Sequence, residues 1–291
     1  MSQKFPIISV TGSSGAGTTT VKHTFEQIFR REGITAAFIE GDAFHGYDRV
    51  AMKKVMAEEE ARGNNHFSHF GPEANLLERL EESFRSYGAS GKGKTRRYVH
   101  DRVEEEKYGA PAGTFTEWED LPDGSDILFY EGLHGAAVTD KINIARYADL
   151  KIGVVPVINL EWTQKLHRDR ASRGYTAEDV TKTILRRMPD YISYICPQFS
   201  ETDINFQRVP TVDTSNPFIA RWIPTPDESM VVIRFKSPRG IDFAYLKTMI
   251  ADSFMSRANS IVIPGGKLDL AMQLILTPMI HRLVELKRRA S

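Results

Sequence analysis

Apolar and polar positions follow two alternating periods along this chain, and each change of period marks an element. Ile7 to Val10 is a short apolar run that stops at a glycine-rich loop and reads as a buried strand. From Thr18 to Arg31, Val21, Phe25, Ile28 and Phe29 recur at helical spacing, and Gly33 is placed to cap that helix. Ile34 to Ile39 is a second apolar, partly β-branched run, closing in Glu40-Gly41-Asp42. Strand, helix and strand in this order predict a βαβ unit and therefore a parallel sheet.

Polar-faced helices are expected over 48–62 and 73–87, with a His/Phe-rich turn at His66–Phe70 between them. Residues 88–124 are rich in Gly, Pro and charge and read as a long surface excursion. Core patterning resumes at Ile127–Tyr130, followed by Glu131, and again at Ile152–Val157. Two helices follow, Leu160–Arg173 (strongly charged) and Ala177–Ile195. Strands at Val209–Val212 and Met230–Phe235, a helix near Phe243–Phe254, a strand at Ile261–Ile263 and a helix from Leu268 complete the pattern. No repeat or linker interrupts it, so one α/β domain over 1–291 is expected.

The chain has 291 residues, 41% hydrophobic and 26% charged, which is ordinary globular composition. Lys plus Arg and Asp plus Glu both number 38, so the basic excess of a polyanion binder is missing and nucleic acid is not an expected partner. A local run, Lys92-Gly-Lys94-Thr-Arg96-Arg97, could bind a small anion or be a solvated loop. The single cysteine, Cys196, excludes an internal disulfide and a Cys-rich metal site. No apolar run approaches a membrane span or a signal segment, so a cytoplasmic location is expected.

The chemistry starts at the first loop. Gly12, Ser13, Ser14, Gly15, Ala16, Gly17, Thr18 and Thr19 match the phosphate-loop pattern except at the lysine position, which holds Thr18. Glycines let successive N–H groups turn toward phosphate oxygens, the helix N-terminus adds its dipole, and the Thr19 hydroxyl is placed to ligate a metal. A phosphoryl group in transfer needs cations, so another basic residue must enter the site. Lys165, Arg168, Asp169 and Arg173 span an arc of ~140° on the charged helix, which can close as a lid near 160–173. The same spacing also fits a solvated helix laced with ion pairs.

Ligands of open α/β sheets bind beyond the carboxyl ends of strands. Glu131 closes its strand in the manner of a Walker B acid and can hold Mg²⁺. Asp42 closes the second strand, beside the phosphate loop if β1 and β2 lie close, where a base would take the proton of an acceptor hydroxyl. A lone Asp after a strand can equally be a helix cap. His45 and Arg49 follow it closely, and cations there suit an acceptor that already bears a phosphate.

These segments resemble the bacterial phosphoribulokinase family. The resemblance is carried by Gly12-Ser-Ser-Gly-Ala-Gly-Thr18, Glu40-Gly-Asp42-x-Phe-His45, Tyr130-Glu131-Gly-Leu-His134-Gly and Asn159-Leu-Glu-Trp162-x-Gln-Lys165. Gln207-Arg-Val-Pro-x-Val-Asp-Thr-Ser-Asn-Pro217 and Arg239-Gly-Ile-Asp-Phe243 extend it nearly end to end. It implies a P-loop fold similar to nucleoside monophosphate kinases, a mixed sheet with a largely parallel core and helices on both faces. It implies phosphorylation of D-ribulose 5-phosphate by Mg-ATP at O1, the step that supplies the carboxylase of the Calvin cycle.

By the same resemblance Asp42 is the base and Asp169 a second essential carboxylate. Thr19 and Glu131 serve the metal, Lys165 and Arg168 the phosphoryl group, and His45, Arg49 and Arg173 the sugar phosphate. It implies an oligomer, often an octamer, activated by NADH and inhibited by AMP, with Arg186, Arg187, Arg234 and Arg257 as effector-site candidates. The disulfide switch of plant-type enzymes cannot operate within a chain with one cysteine. A related kinase of uridine or pantothenate remains an alternative, as does a nucleotide-responsive switch without transferase activity.

Overall fold

The computed structural model describes residues 4–13, 18–155, 157–173, 176–219 and 222–290. The first half runs β1 (Ile7–Thr11), α1 (Thr18–Glu32), β2 (Ala36–Glu40), α2 (Arg49–Ala61), α3 (Leu77–Ser90), β3 (Lys94–Thr95), α4 (Arg102–Tyr108), β4 (Glu119–Asp120) and β5 (Ile127–Gly132). Then come β6 (Leu150–Val155), α5 (Ile158–Arg173), α6 (Ala177–Asp190), α7 (Gln198–Glu201), β7 (Ile204–Pro210) and β8 (Ser229–Phe235). The chain ends with α8 (Phe243–Met249), β9 (Phe254–Arg257), β10 (Ser260–Pro264) and α9 (Leu268–Ala290).

Among the described residues the main sheet has eight strands in the order β2-β5-β1-β6-β7-β8-β10-β9. It is parallel from β2 through β7 and antiparallel from β7 outward, the expected mixed sheet. β1 is buried at all five positions, as a strand covered on both faces must be. Its side chains divide between two cores. Ile8 and Val10 join Phe25 and Ile28 of α1 and Met272 and Leu276 of α9. Ile7 joins Leu80 and Phe84 of α3 and Leu128 of β5. The two hydroxyls of β1 are satisfied inside: Ser9 donates to Gly135 O (2.6 Å), and Thr11 reaches Leu133 O and Gln198 Oε1 (3.1 Å each).

The caps explain where several helices start. Asp48 accepts from Ala51 N at the head of α2, and Thr176 with Asp179 forms a capping box on α6. The sequence placed some boundaries differently. β7 begins at Ile204, five residues before the expected strand, because Ile204 and Phe206 are the buried alternation. The helix from Phe243 stops at Met249, and Phe254 begins a strand. α6 carries Pro189 near its end and passes into a wider π turn at Tyr191–Ile195.

β1 and β2 are not neighbours. β5 lies between them, with Glu131 in register with Val10 on one side and Glu40 on the other. Glu131 therefore stands directly beside the phosphate-loop strand, and Asp42 stands one strand further out. No described helix is long and apolar enough to cross a membrane.

Candidate active site

Two strand ends meet where β2 and β5 finish. A Cβ on Gly41 would lie 2.6 Å from Tyr130 Oη and 2.8 Å from Gly132 Cα, and one on Gly132 would lie 2.6 Å from Gly41 Cα. Neither position has room for a side chain, which accounts for the Gly in both Glu-Gly pairs. This close approach delivers Asp42, in the 3₁₀ turn Gly41–Phe44, to the carboxyl edge of the sheet. Asp42 is not a helix cap; Asp48 has that role.

Imidazoles surround the Asp42 carboxylate. His45 Nε2 lies 3.1 Å from Oδ1 and His100 Nε2 lies 3.6 Å from Oδ2. Burial pushes the Asp42 carboxyl up, but His45 and His100 outweigh it and hold the group well below the usual carboxylate range. The His69 ring stacks on His45 with centroids 3.8 Å apart. Burial, reinforced by His45 and Arg187, pushes His69 down to about 2. Burial likewise takes His134 down to about 4, and its Nε2–H donates to His69 O (3.0 Å).

The excursion over 88–124 contributes the wall of this site. His100 comes from it, and His100 O accepts from Arg49 Nη2 (2.8 Å) while Gly113 O accepts from Arg49 N (2.8 Å). Three of the four cations of the basic run have local partners. Lys94 pairs with Asp120 (2.9 Å), and Arg97 sits over the Tyr108 ring. Arg96 donates to Ala43 O (2.8 Å) and His45 O (2.7 Å), with its guanidinium 3.6 Å over Phe115. It thereby clamps the backbone on both sides of Phe44.

On the nucleotide side, Ser13 Oγ donates to Glu161 Oε1 of α5 at 2.6 Å, and both side chains are buried. Burial raises the Glu161 carboxyl against the opposing effects of Ser13, Lys165, Arg168 and Arg187. Lys165, on the same helix, is itself 8% exposed, and its charge acts on the Glu161 carboxyl. Lys165 and Arg187 line a cavity of about 20 Å³ with Glu161, Trp162 and Tyr191. Ser14, Gly15, Ala16 and Gly17 lie outside the described residues, as do the side chains of Thr18, Thr19, Asp169 and Arg173.

The metal fit rests on Glu131. Mg²⁺ in kinases is held by one or two carboxylates plus phosphate oxygens and water. Glu131 offers a carboxylate at the strand end, with Glu40 across from it on the neighbouring strand. Lys22 of α1 pairs with Glu40 at 2.7 Å; burial lowers the Lys22 pKa, but Glu40 and Glu131 together raise it on balance. The donor set and its charge balance suit a hard divalent cation.

The effector candidates fall in two groups. Arg186 donates to Phe67 O (2.7 Å), and Arg187 lies 5.6 Å over the Phe70 ring. Arg234 and Arg257 flank Ser260 in one cross-strand row and are both exposed. Sequence reasoning missed His69, Asn75, Arg96, His100, Lys22 and Glu161. The His/Phe-rich turn was visible as a composition anomaly, but nothing local pointed it toward Asp42.

Residues 7–215 match the family described as phosphoribulokinase / uridine kinase. The chain is 74% identical over 290 residues to a phosphoribulokinase of Nitrobacter vulgaris, covering 100% of each. It is 69% identical over 291 residues to one from Rhizobium meliloti (strain 1021), again covering 100% of each. The solved structure of phosphoribulokinase from Rhodobacter spheroides superimposes with a TM-score of 0.90 at 65% identity, over 98% of this chain and 99% of that one. The Asp42 carboxylate between His45 and His100 is thus set in a scaffold shared along its whole length, and the chain belongs to the phosphoribulokinase / uridine kinase family.

Proposed function

We propose that this protein is an ATP-dependent sugar-phosphate kinase that transfers the γ-phosphoryl group of Mg-ATP to O1 of D-ribulose 5-phosphate. The products are ribulose 1,5-bisphosphate and ADP, and the step belongs to the Calvin cycle. The observation that carries this reading is the Asp42 carboxylate set among His45 and His100 at the end of β2. A base in cationic surroundings suits an alcohol whose other end is a phosphate.

Asp42 accepts the O1 proton as O1 bonds to the γ-phosphorus and ADP departs. His45, Arg49 and Arg173 hold the sugar phosphate. Lys165 and Arg168 stand in for the lysine missing at Thr18 and neutralise charge on the phosphoryl oxygens. Asp169 is the second essential carboxylate. The residues from Gly12 to Thr19 cradle the nucleotide phosphates, and Thr19 with Glu131 would hold Mg²⁺, whose chemistry is charge neutralisation across the phosphates.

The same reading takes residues 1–291 as one domain in which α5 acts as a lid, in a cytoplasmic homo-oligomer of the octameric kind. It takes NADH as activator and AMP as inhibitor through Arg186, Arg187, Arg234 and Arg257. Support for these finer points is the family relation together with the residue types present. The decisive test follows ADP release from Mg-ATP with ribulose 5-phosphate, uridine, pantothenate or no acceptor, with and without NADH. Release is expected with ribulose 5-phosphate alone; turnover of another acceptor in its place would overturn the assignment.

A further inference from the structure

Asn75 lies between the His69–Gly71 loop and His45 and is 8% exposed. Its Nδ2 donates to two carbonyl oxygens, His69 O at 2.9 Å and Gly71 O at 2.6 Å. The opposite orientation would set Oδ1 against two acceptors, so the amide has one allowed direction. Oδ1 therefore faces His45 Nδ1 at 2.8 Å, and that nitrogen must carry a proton. The backbones of the two residues also form an antiparallel bridge, which fixes the ring's height.

The far side of the ring faces Asp42 Oδ1 at 3.1 Å. With only Nδ1 protonated, Nε2 would present a lone pair to a carboxylate. A second proton on Nε2 converts that repulsion into a charge-assisted hydrogen bond. The neighbouring groups tolerate one cation there. His69, stacked on the ring, and His134, bonded to His69 O, are both held neutral by burial. His100 approaches the other carboxylate oxygen, Arg96 binds the His45 carbonyl, and Arg187 of α6 acts on His69.

We propose that Asn75 is a positioning residue that locks His45 as a doubly protonated imidazolium against Asp42, so that the base stays engaged until the acceptor's phosphate takes over the Nε2–H. The second half rests on the kinase reading above. A carboxylate bound to an imidazolium is a poor proton acceptor. When a phosphate oxygen displaces it from Nε2–H, the His45 proton stays in place and Asp42 is freed to accept the O1 proton. An acceptor without a phosphate, or a water molecule, leaves Asp42 paired. Base strength is thus tied to the acceptor's phosphate.

The first test needs no activity. In ¹⁵N-histidine-labelled full-length protein at pH 7.5, one histidine is expected with both ring nitrogens protonated, its signal identified by its loss in His45→Asn. A singly protonated His45 in the wild type overturns the proposal, whatever the enzyme proves to phosphorylate. The second test compares Asn75→Ala with Asn75→Asp, each checked for folding by thermal melting.

Loss of the acceptor in Asn75→Ala is expected to raise KM for ribulose 5-phosphate about 10- to 100-fold with kcat changed less than about threefold, and to move the alkaline limb of kcat/KM to lower pH. Asn75→Asp keeps the acceptor and adds charge while giving up the two donations to His69 O and Gly71 O, a loss the thermal melt reads. Where it folds, it should restore KM to within a few-fold and move that limb upward. Identical behaviour of the two folded variants would reduce Asn75 to a structural residue and overturn the proposal. If neither variant folds, the wild-type spectrum decides.

Discussion

The acceptor side and the nucleotide side of the site are organised by opposite means. Around Asp42 the groups are neutral or singly charged and tied to the backbone: Asn75 to two carbonyls, Arg96 to two more, His134 to His69 O. Around Ser13 the contacts are side chain to side chain, with buried Glu161 facing Lys165, Arg168 and Arg187. A backbone-anchored cluster keeps its loops and rings in place when a ligand arrives, and only the His45–Asp42 pair has to open. A knot of buried charges is different, because an incoming phosphate competes with Glu161 for the same cations. The comparison teaches that the acceptor side fixes its rings and loops by backbone ties and leaves one pair, His45 and Asp42, to open, while the nucleotide side shares several charged side chains around one carboxylate.

The sharpest way to break this comparison is Asp42→Asn. Turnover is expected to fall about 10²- to 10⁴-fold, while ATP affinity, measured by isothermal titration without acceptor, stays within about twofold. An equal loss of ATP binding would mean the two sides are not separable. Next, Lys165→Met removes a phosphoryl-side cation and leaves Glu161 buried with less compensation. A loss of about 10²- to 10³-fold in kcat is expected, with KM for ribulose 5-phosphate little changed. A rise confined to that KM would move Lys165 to the acceptor side.

Gly132→Ala tests the backbone contact that carries Asp42. Its Cβ would sit 2.6 Å from Gly41 Cα, so a loss of about 1–3 kcal/mol in urea unfolding is expected, together with lower kcat. Unchanged stability would show that the two strand ends can part freely.

An effect of comparable size is on acid stability. His69 and His134 have native values depressed to about 2 and about 4 from 6.5. The unfolded chain takes up their protons first, so stability is full above pH 6.5 and falls as pH drops toward those values. The slope approaches about 1.4 kcal/mol per pH unit for each histidine. Asp42, held low, adds to the same loss below pH 3.8. Urea midpoints at pH 7.5 and 5.5 measure this, and equal midpoints would remove the neutral-histidine account.

The sequence made the local parts legible. The apolar run of β1, the period of α1 and the Glu-Gly pairs at two strand ends each lie within a dozen or so residues, where periodicity and turn chemistry speak directly. Glu131 was read correctly as the carboxylate at a strand end, in register with the phosphate-loop strand. What was hidden is long-range. Ser13 and Glu161 are 148 residues apart, and no spacing rule joins a loop hydroxyl to a helix carboxylate at that distance. His100 sat in a stretch without core patterning, whose contacts with Arg49 and Asp42 depend on how the whole excursion folds back. Arg96 looked like part of a basic patch because sequence shows its charge and not the two carbonyls it binds.

The strand order also sets a timetable for biosynthesis. In the sheet described, β2 pairs only with β5, and β1 pairs with β5 and β6, so Ile7 meets its partner at Leu128. A ribosome adding about 5–20 residues per second leaves the phosphate-loop strand without a sheet neighbour for roughly 6–25 s. Through that interval the N-terminal segment exposes two apolar strands and the face of α1 that packs on them. The loop that follows β1 is thus made well before its strand has a sheet neighbour, and this nascent segment is a stretch a chaperone would hold.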